Sequence, residues 1–307
     1  MRIGVVDLDT SHPQNWIPIE RELGHEVLGV WDGGAVHPPE YVAAFARQHD
    51  VPRVYERLEV MAADVDVAVL HGCDWDTHVE KARPFVEAGK GVLIDKPIAG
   101  RARDLRQLAA WVDSGARITG GSSLRFCVET REWAGRPAEE RGQPHTALCG
   151  CAVDEMNYGI HAYALLAGIL GPGAASVRHI GGAPQRRVLV RWPDGRCGIV
   201  IVGAAAAYHP FHATIVGDRE VTHYRPNAAM LYRALLEATL PYLAGEAPAP
   251  VAFADLVEPE RWAIAAMQSW CAGDREVPLA DLGEAGYDGA AFAASYRLMR
   301  YPEAAGR

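Results

Sequence analysis

No apolar run in the 307-residue sequence approaches the ~20 residues needed to cross a bilayer. Nor does the start, Met1-Arg2-Ile3-Gly4-Val5-Val6, have the form of a cleavable signal, because the chain enters a strand pattern at once. Basic residues are in deficit: 30 Lys and Arg stand against 39 Asp and Glu, for a net charge of -9, and no basic run occurs. That balance speaks against nucleic acid and anionic membrane as partners and favours a small, neutral ligand. The cysteines Cys73, Cys127, Cys149, Cys151, Cys197 and Cys271 never form Cys-x-x-Cys, so a zinc site of that kind has no support. Cys149 and Cys151 share one face of an expected strand and read as reduced core thiols of a cytoplasmic protein. Internal repeats and long linkers are also missing.

What is present is the composition of a globular protein, 49% hydrophobic and 22% charged. The length exceeds what one ordinary core supports, so two domains are expected, 1–120 and 121–307. Up to residue 120, short β-rich runs at 2–6, 26–31, 53–55, 65–70, 91–94 and 117–119 alternate with helical patterns at 38–49, 78–88 and 103–112 and one ending near Gly24. Alternation of this kind predicts a parallel sheet with right-handed crossovers, whose ligands sit at the carboxyl ends of the strands. Those ends are residues 7–12, Asp32, 71–74 and 95–97. Beyond residue 121 the pattern changes to strands in succession at 145–152, 175–180, 187–192, 198–202 and 212–216, with helices at 157–170, 230–243 and 259–272. The second half therefore reads as α+β with an antiparallel or mixed sheet, and the whole as an α/β protein carrying a Rossmann-type sheet.

The order of elements, the Asp95-Lys96-Pro97 turn and the Gly159-Ile160-His161 helix start together resemble the Gfo/Idh/MocA oxidoreductases. So do Glu87-Ala88-Gly89-Lys90, Gly121-Ser122-Ser123-Leu124-Arg125-Phe126, Gly245-Glu246-Ala247-Pro248 and Ala265-Ala266-Met267-Gln268-Ser269. The resemblance covers nearly the whole chain. It implies an N-terminal domain for NAD(P), a C-terminal domain with an open-faced sheet for substrate and oligomer contacts, and redox chemistry at a sugar or cyclitol hydroxyl. A dimer or tetramer follows from the resemblance alone. Some members of the family use the nicotinamide transiently in eliminations or hydrolyses.

Lys96, at the end of the fifth strand, is suited to hydrogen-bond a substrate hydroxyl and favour a developing alkoxide. Pro97 fixes the turn after it, with a trans bond as the ordinary expectation. His161 corresponds to the general acid/base of the resembling family, a role imidazole fills because its pKa lies near working pH. Asn157, one turn earlier, orients a hydroxyl but takes no proton. Arg125 is expected to reach the substrate from the second domain. On the cofactor side the expected contacts are Asp9, Thr10, Ser11, His12, Asp32, His71, Asp74, Lys96 and Pro97. Asp32 stands where an acid binds the adenosine ribose, which favours NAD over NADP.

The first turn departs from the dinucleotide fingerprint. Asp7-Leu8-Asp9-Thr10-Ser11-His12 stands where Gly-x-Gly-x-x-Gly is usual. Two carboxylates there repel a diphosphate unless they point away, while Thr10, Ser11 and His12 supply donors at a helix start. His71, Asp74 and His78, with His12, are metal-ligand types near one another, but their spacing matches no metal motif and no metal is expected. A non-redox lyase, isomerase or hydrolase on this scaffold, or a non-catalytic ligand-binding relative, are the alternatives.

Overall fold

The computed structural model describes residues 1–302. The first stretch runs β1 (Arg2–Val6), α1 (His12–Glu22), β2 (Glu26–Trp31), α2 (Glu40–Gln48), β3 (Arg53–Val54), α3 (Leu58–Asp64), β4 (Val67–Leu70), α4 (His78–Glu87), β5 (Gly91–Asp95), α5 (Ala102–Asp113) and β6 (Ile118–Gly121). Then come α6 (Val128–Gly135), α7 (Ala138–Arg141), β7 (Pro144–Gly150), α8 (Ile160–Leu170), β8 (Ser176–Gly181), β9 (Arg186–Arg191), β10 (Cys197–Val202), β11 (His212–Gly217) and β12 (Val221–Tyr224). The chain continues through α9 (Leu231–Leu243), α10 (Phe253–Leu256), α11 (Glu258–Cys271), β13 (Val277–Pro278) and α12 (Gly289–Arg300).

Six strands form the first sheet in the order β3-β2-β1-β4-β5-β6. The recorded pairs β1–β2, β1–β4, β2–β3 and β4–β5 are parallel. Every residue of β4 and β5 is buried, as near-continuous apolar runs require when helices cover both faces. The order reverses beside β1, where α/β sheets open a crevice at their carboxyl edge.

The second sheet has the order β12-β11-β7-β10-β9-β8-β13. Its recorded pairs are antiparallel except β7–β10, which is parallel. Burial alternates along β10, with Gly198, Val200 and Val202 inward. The inward face packs on α8, a helix buried nearly all round. Gly198 permits that approach, since a Cβ there would lie 2.4 Å from a Leu166 methyl. On the other face Leu148, Ile199 and Leu189 pair in register and are only half-buried. The sheet is thus open-faced, as the resemblance implied.

The chain divides into two compact units, and the division is less simple than one boundary at residue 120. Of the described residues, the first unit holds 1–120, 236–253 and 288–302; the second holds 121–235 and 254–287. Several short elements carry too little periodicity to be expected from sequence. Helix α3 buries only Met61 and Ala62, and α12 only Gly289 and Ala293. No helix of the described residues is long and apolar enough to cross a membrane.

Candidate active site

In the first unit the acidic turn after β1 folds inward. Asp7 adopts φ 64°, the left-handed conformation otherwise met by glycine, which an Asx residue tolerates better than most. Its carboxylate is fully buried, accepts from Lys81 Nζ at 2.6 Å and from the Gly33 amide at 3.1 Å. Gly72 makes room for it, because a Cβ at that position would come within 2.7 Å of Asp7 Oδ2. Burial alone would lower the Lys81 pKa, but the Asp7 carboxylate more than offsets this and raises it. Asp9 is also fully buried and accepts from the Cys73 amide at 2.8 Å. Burial first, and then the charge of Asp7, raises Asp9 to about 7. Lys81 neutralises Asp7, and Asp9 is shifted toward its protonated form, so the repulsion anticipated for a diphosphate is weakened.

Thr10 and Ser11 lead into α1, which starts at His12 and carries no acidic residue in its first turn. The Thr10 hydroxyl accepts from the His12 amide at 3.2 Å. Asp32, at the end of β2, accepts from the Leu8 amide at 3.0 Å and from the Gly34 amide at 2.6 Å, and burial raises its pKa. Asp74 caps a short turn by accepting from the Asp76 amide. Both ring nitrogens of His78 lie on main-chain carbonyls, those of Ile98 and Gly72, which takes this histidine out of any ligand set.

Two imidazoles converge instead on Asp95. His12 Nδ1 and His71 Nδ1 lie 2.5 Å and 3.1 Å from the same oxygen, Oδ2, while Oδ1 accepts from the Lys96 amide at 2.7 Å. Burial alone would raise Asp95, but the two imidazoles hold it well below the usual carboxylate range. Burial lowers His71, with Asp95 opposing. Trp16 closes the cluster, stacked on His12 with centroids 5.7 Å apart and edge-on to His71 at 4.8 Å. His12, His71 and Asp95 have the ligand types of a metal site. Their separations are those of direct hydrogen bonds, whereas ligands about 2.0–2.2 Å from one tetrahedral metal stand further apart. Lys96 follows, 7% exposed, and its bond to Pro97 is cis rather than trans as expected.

In the second unit His161 is the second residue of α8 and is buried. Its Nδ1 shares a 2.6 Å hydrogen bond with Ser122 Oγ, which itself accepts from the Leu124 amide. The rings of Tyr158 and Phe211 pack around it at 5.5 Å and 5.0 Å. Helix α8 starts at Ile160, so Asn157 lies in the turn before it and not on the same helix. Arg125 donates to the Asp255 carbonyl at 3.3 Å and faces Glu258, Asp255 and Glu260 near the start of α11, a setting different from that of His161. Val153, in the loop before α8, holds φ 106°, a strained backbone for a β-branched residue.

Lys81, Ser122, Tyr158 and Phe211 were not singled out from the sequence. Ser122 stands inside the Gly121-Ser122-Ser123-Leu124 stretch, the one local signal that marked it. Asp95 was legible as part of its turn, and His12 and His71 as candidate cofactor contacts, but the pairing of the two with Asp95 was not.

Residues 2–119 match an oxidoreductase family with an NAD-binding Rossmann fold. A rabbit (Oryctolagus cuniculus) trans-1,2-dihydrobenzene-1,2-diol dehydrogenase is 37% identical over 87 residues, which are 28% of this chain and 25% of that protein. The match thus spans about a quarter of the relative's length. Among solved structures, a probable dehydrogenase from Thermotoga maritima superposes with TM-score 0.77 at 15% identity, covering 92% of this chain and all of the other. The scyllo-inositol dehydrogenase of Lactobacillus casei with bound NAD(H) and scyllo-inositol gives TM-score 0.75 at 16% identity, over 91% and 99%.

Proposed function

We propose that the chain, whose residues 2–119 match the Gfo/Idh/MocA family of oxidoreductases, is an NAD-dependent oxidoreductase acting on the hydroxyl or ketone of a polyol, sugar-like or cyclitol-like molecule. The observation that carries this reading is the inward burial of Asp7, paired with Lys81, and of Asp9, raised to about 7, which weakens the repulsion at the start of α1. A diphosphate suits the main-chain amides there, with Thr10, Ser11 and His12 around it. Asp32 suits the ribose hydroxyls, and its charge disfavours the extra phosphate of NADP. NAD, when bound, supplies the hydride acceptor.

The rest falls to the chain. Lys96 polarises the substrate oxygen, and Asp95, held by His12 and His71, anchors the turn that carries it. His161, its Nδ1 held by Ser122, exchanges the hydroxyl proton. Asn157 orients the substrate. Arg125 serves by tying down α10 through the Asp255 carbonyl rather than by touching substrate. The names of the relatives, a diol dehydrogenase and an inositol dehydrogenase, support the substrate class. The half-buried row Leu148, Ile199 and Leu189 supports a homo-oligomer through the open sheet face, and the free cysteines support a reducing, cytoplasmic setting.

Titration with NADH and NADPH, read by fluorescence or calorimetry, tests the first step. NADH is expected to bind more tightly, and binding of neither at millimolar concentration removes the reading. On a polyol panel, Lys96→Met and His161→Asn are each expected to lower kcat on the order of 10²-fold. The carboxylate shared by two imidazoles favours a second reading, acid/base chemistry without redox, which predicts turnover of the panel with no nicotinamide added.

A further inference from the structure

A ribose held by Asp32, with its diphosphate at the start of α1, directs its base into the groove beside the first turn. One wall of that groove is the loop after β2, residues 33–37; the other is the loop after β4, residues 72–76. Both walls are tied to the turn itself, because His37 Nε2 lies 3.1 Å from the Leu8 carbonyl and the Cys73 amide donates to Asp9. The chain's own C-terminal helix, α12, lies over this groove. Val36, Cys73 and Ala293 form a buried cluster against which Phe292, Tyr296 and Tyr301 pack. Phe292 also sits 5.1 Å from Trp75, centroid to centroid. Val36, His37 and Cys73 are each no more than 1% exposed, so no flat base fits against them while the helix is in place.

We propose that α12 is a displaceable cover on the adenosine end of the nucleotide site, and that a nucleotide and the helix compete for the same groove. The inference rests on the dinucleotide reading above for where the ribose lies, and it adds a control that the reading does not contain. Three features make the cover releasable. Along its 12 residues α12 buries only Gly289 and Ala293, with Phe292 and Tyr296 half-buried and the remaining side chains exposed. Its polar anchors sit in its first and last turns, where Arg300 also hydrogen-bonds Tyr41. The Gly289 amide donates to Asp76 at 3.0 Å, Tyr301 meets His37 Nδ1 at 2.7 Å, and Arg297 reaches the Gly34 carbonyl at 3.5 Å. Segments with so thin a buried stripe open at low free-energy cost. Lastly, the cover presents aromatic rings to an apolar wall, the same chemistry a purine ring would present, so exchange of one for the other leaves the wall filled.

Competition of this kind weakens the apparent affinity of a nucleotide by the fraction of molecules with the groove open. AMP is the probe of choice, because it carries the adenosine and one phosphate but no nicotinamide. Its binding reads the covered groove alone, whether or not the enzyme turns over any polyol. In the full-length protein, Phe292→Ala and the pair Phe292→Ala with Tyr301→Phe are expected to bind AMP and NADH at least about tenfold more tightly than the parent. Equal or weaker binding in variants that keep the parent's circular dichroism overturns the proposal, and so does absence of binding in parent and variants alike. Hydrogen exchange of the unaltered protein provides the second measurement. Saturating AMP is expected to speed amide exchange across residues 289–300; protection or no change there overturns the cover. A failure of the polyol assay with AMP binding intact would count against the redox reading and leave the cover standing.

Discussion

Lys81→Met is expected to cost the first unit about 3–5 kcal/mol, because it strands the Asp7 carboxylate in the interior. Asp7 is fully buried, and Lys81 Nζ, 2.6 Å away, is its one cationic partner in the recorded ion pairs. The Gly33 amide remains after the substitution, but a single neutral donor does not compensate a charge taken out of water. The ammonium also lies 5.7 Å from the centroid of the Trp31 ring, an interaction lost with it. A rescue separates the charge effect from lost packing. Asn at position 7 tolerates the left-handed backbone and can still accept from Gly33. The double variant Asp7→Asn with Lys81→Met is therefore expected to recover most of the loss, whereas independent contributions would add. Thermal or denaturant unfolding of the single and double variants gives the comparison. A cost below about 1 kcal/mol for Lys81→Met would mean the pair is hydrated and not buried.

Glu20→Gln is expected to stabilise the protein at alkaline pH by an amount on the order of 5 kcal/mol, and to change little near pH 4. Glu20 lies on the buried face of α1, fully out of solvent, and neither carboxylate oxygen has a hydrogen-bond partner among the described residues. Burial raises its pKa to about 8, with Arg21 opposing. The folded chain then keeps a proton that the unfolded chain releases above its ordinary value. Stability falls with rising pH between that ordinary value and about 8, by ~1.4 kcal/mol per pH unit, and levels off above it. Glutamine mimics the protonated form and removes this slope. Asp9, raised to about 7, contributes with the same sign over a lower range, so the Glu20 effect is the difference between parent and variant curves. Parallel curves from pH 5 to 9 would show that Glu20 is hydrated or paired.

The two residues differ in what their sequence context discloses. Glu20 follows Ile19 and precedes Arg21 in an amphipathic helix, where a glutamate ordinarily faces water; its burial follows from how α1 lies on the sheet. Lys81 stands in α4 between Glu80 and Ala82, with nothing local to connect it to the first turn. By contrast, Lys96 was identified by its place after a buried strand, and His161 by its place at a helix start. The strand end before Lys96 and the helix start at His161 follow from local periodicity, while the roles of the two residues are what the family resemblance implies. The partners that tune these two residues, His12 and His71 through Asp95 and Ser122 through Nδ1, come from distant segments.

From the sequence by itself came the alternation of strands and helices, hence the parallel sheet, its carboxyl edge and the change of architecture after residue 121. These are properties of spacing and of side-chain type, and both are local. Only the tertiary structure decided which way the acids of the first turn point, because that depends on Lys81, 74 residues from Asp7. It likewise decided that His12 reaches Asp95, 83 residues on, and that Tyr301 closes over His37, 264 residues before it. Such pairs leave no periodic trace along the chain; they arise when packing of the apolar faces brings distant segments together, and their polar groups must then satisfy one another away from water.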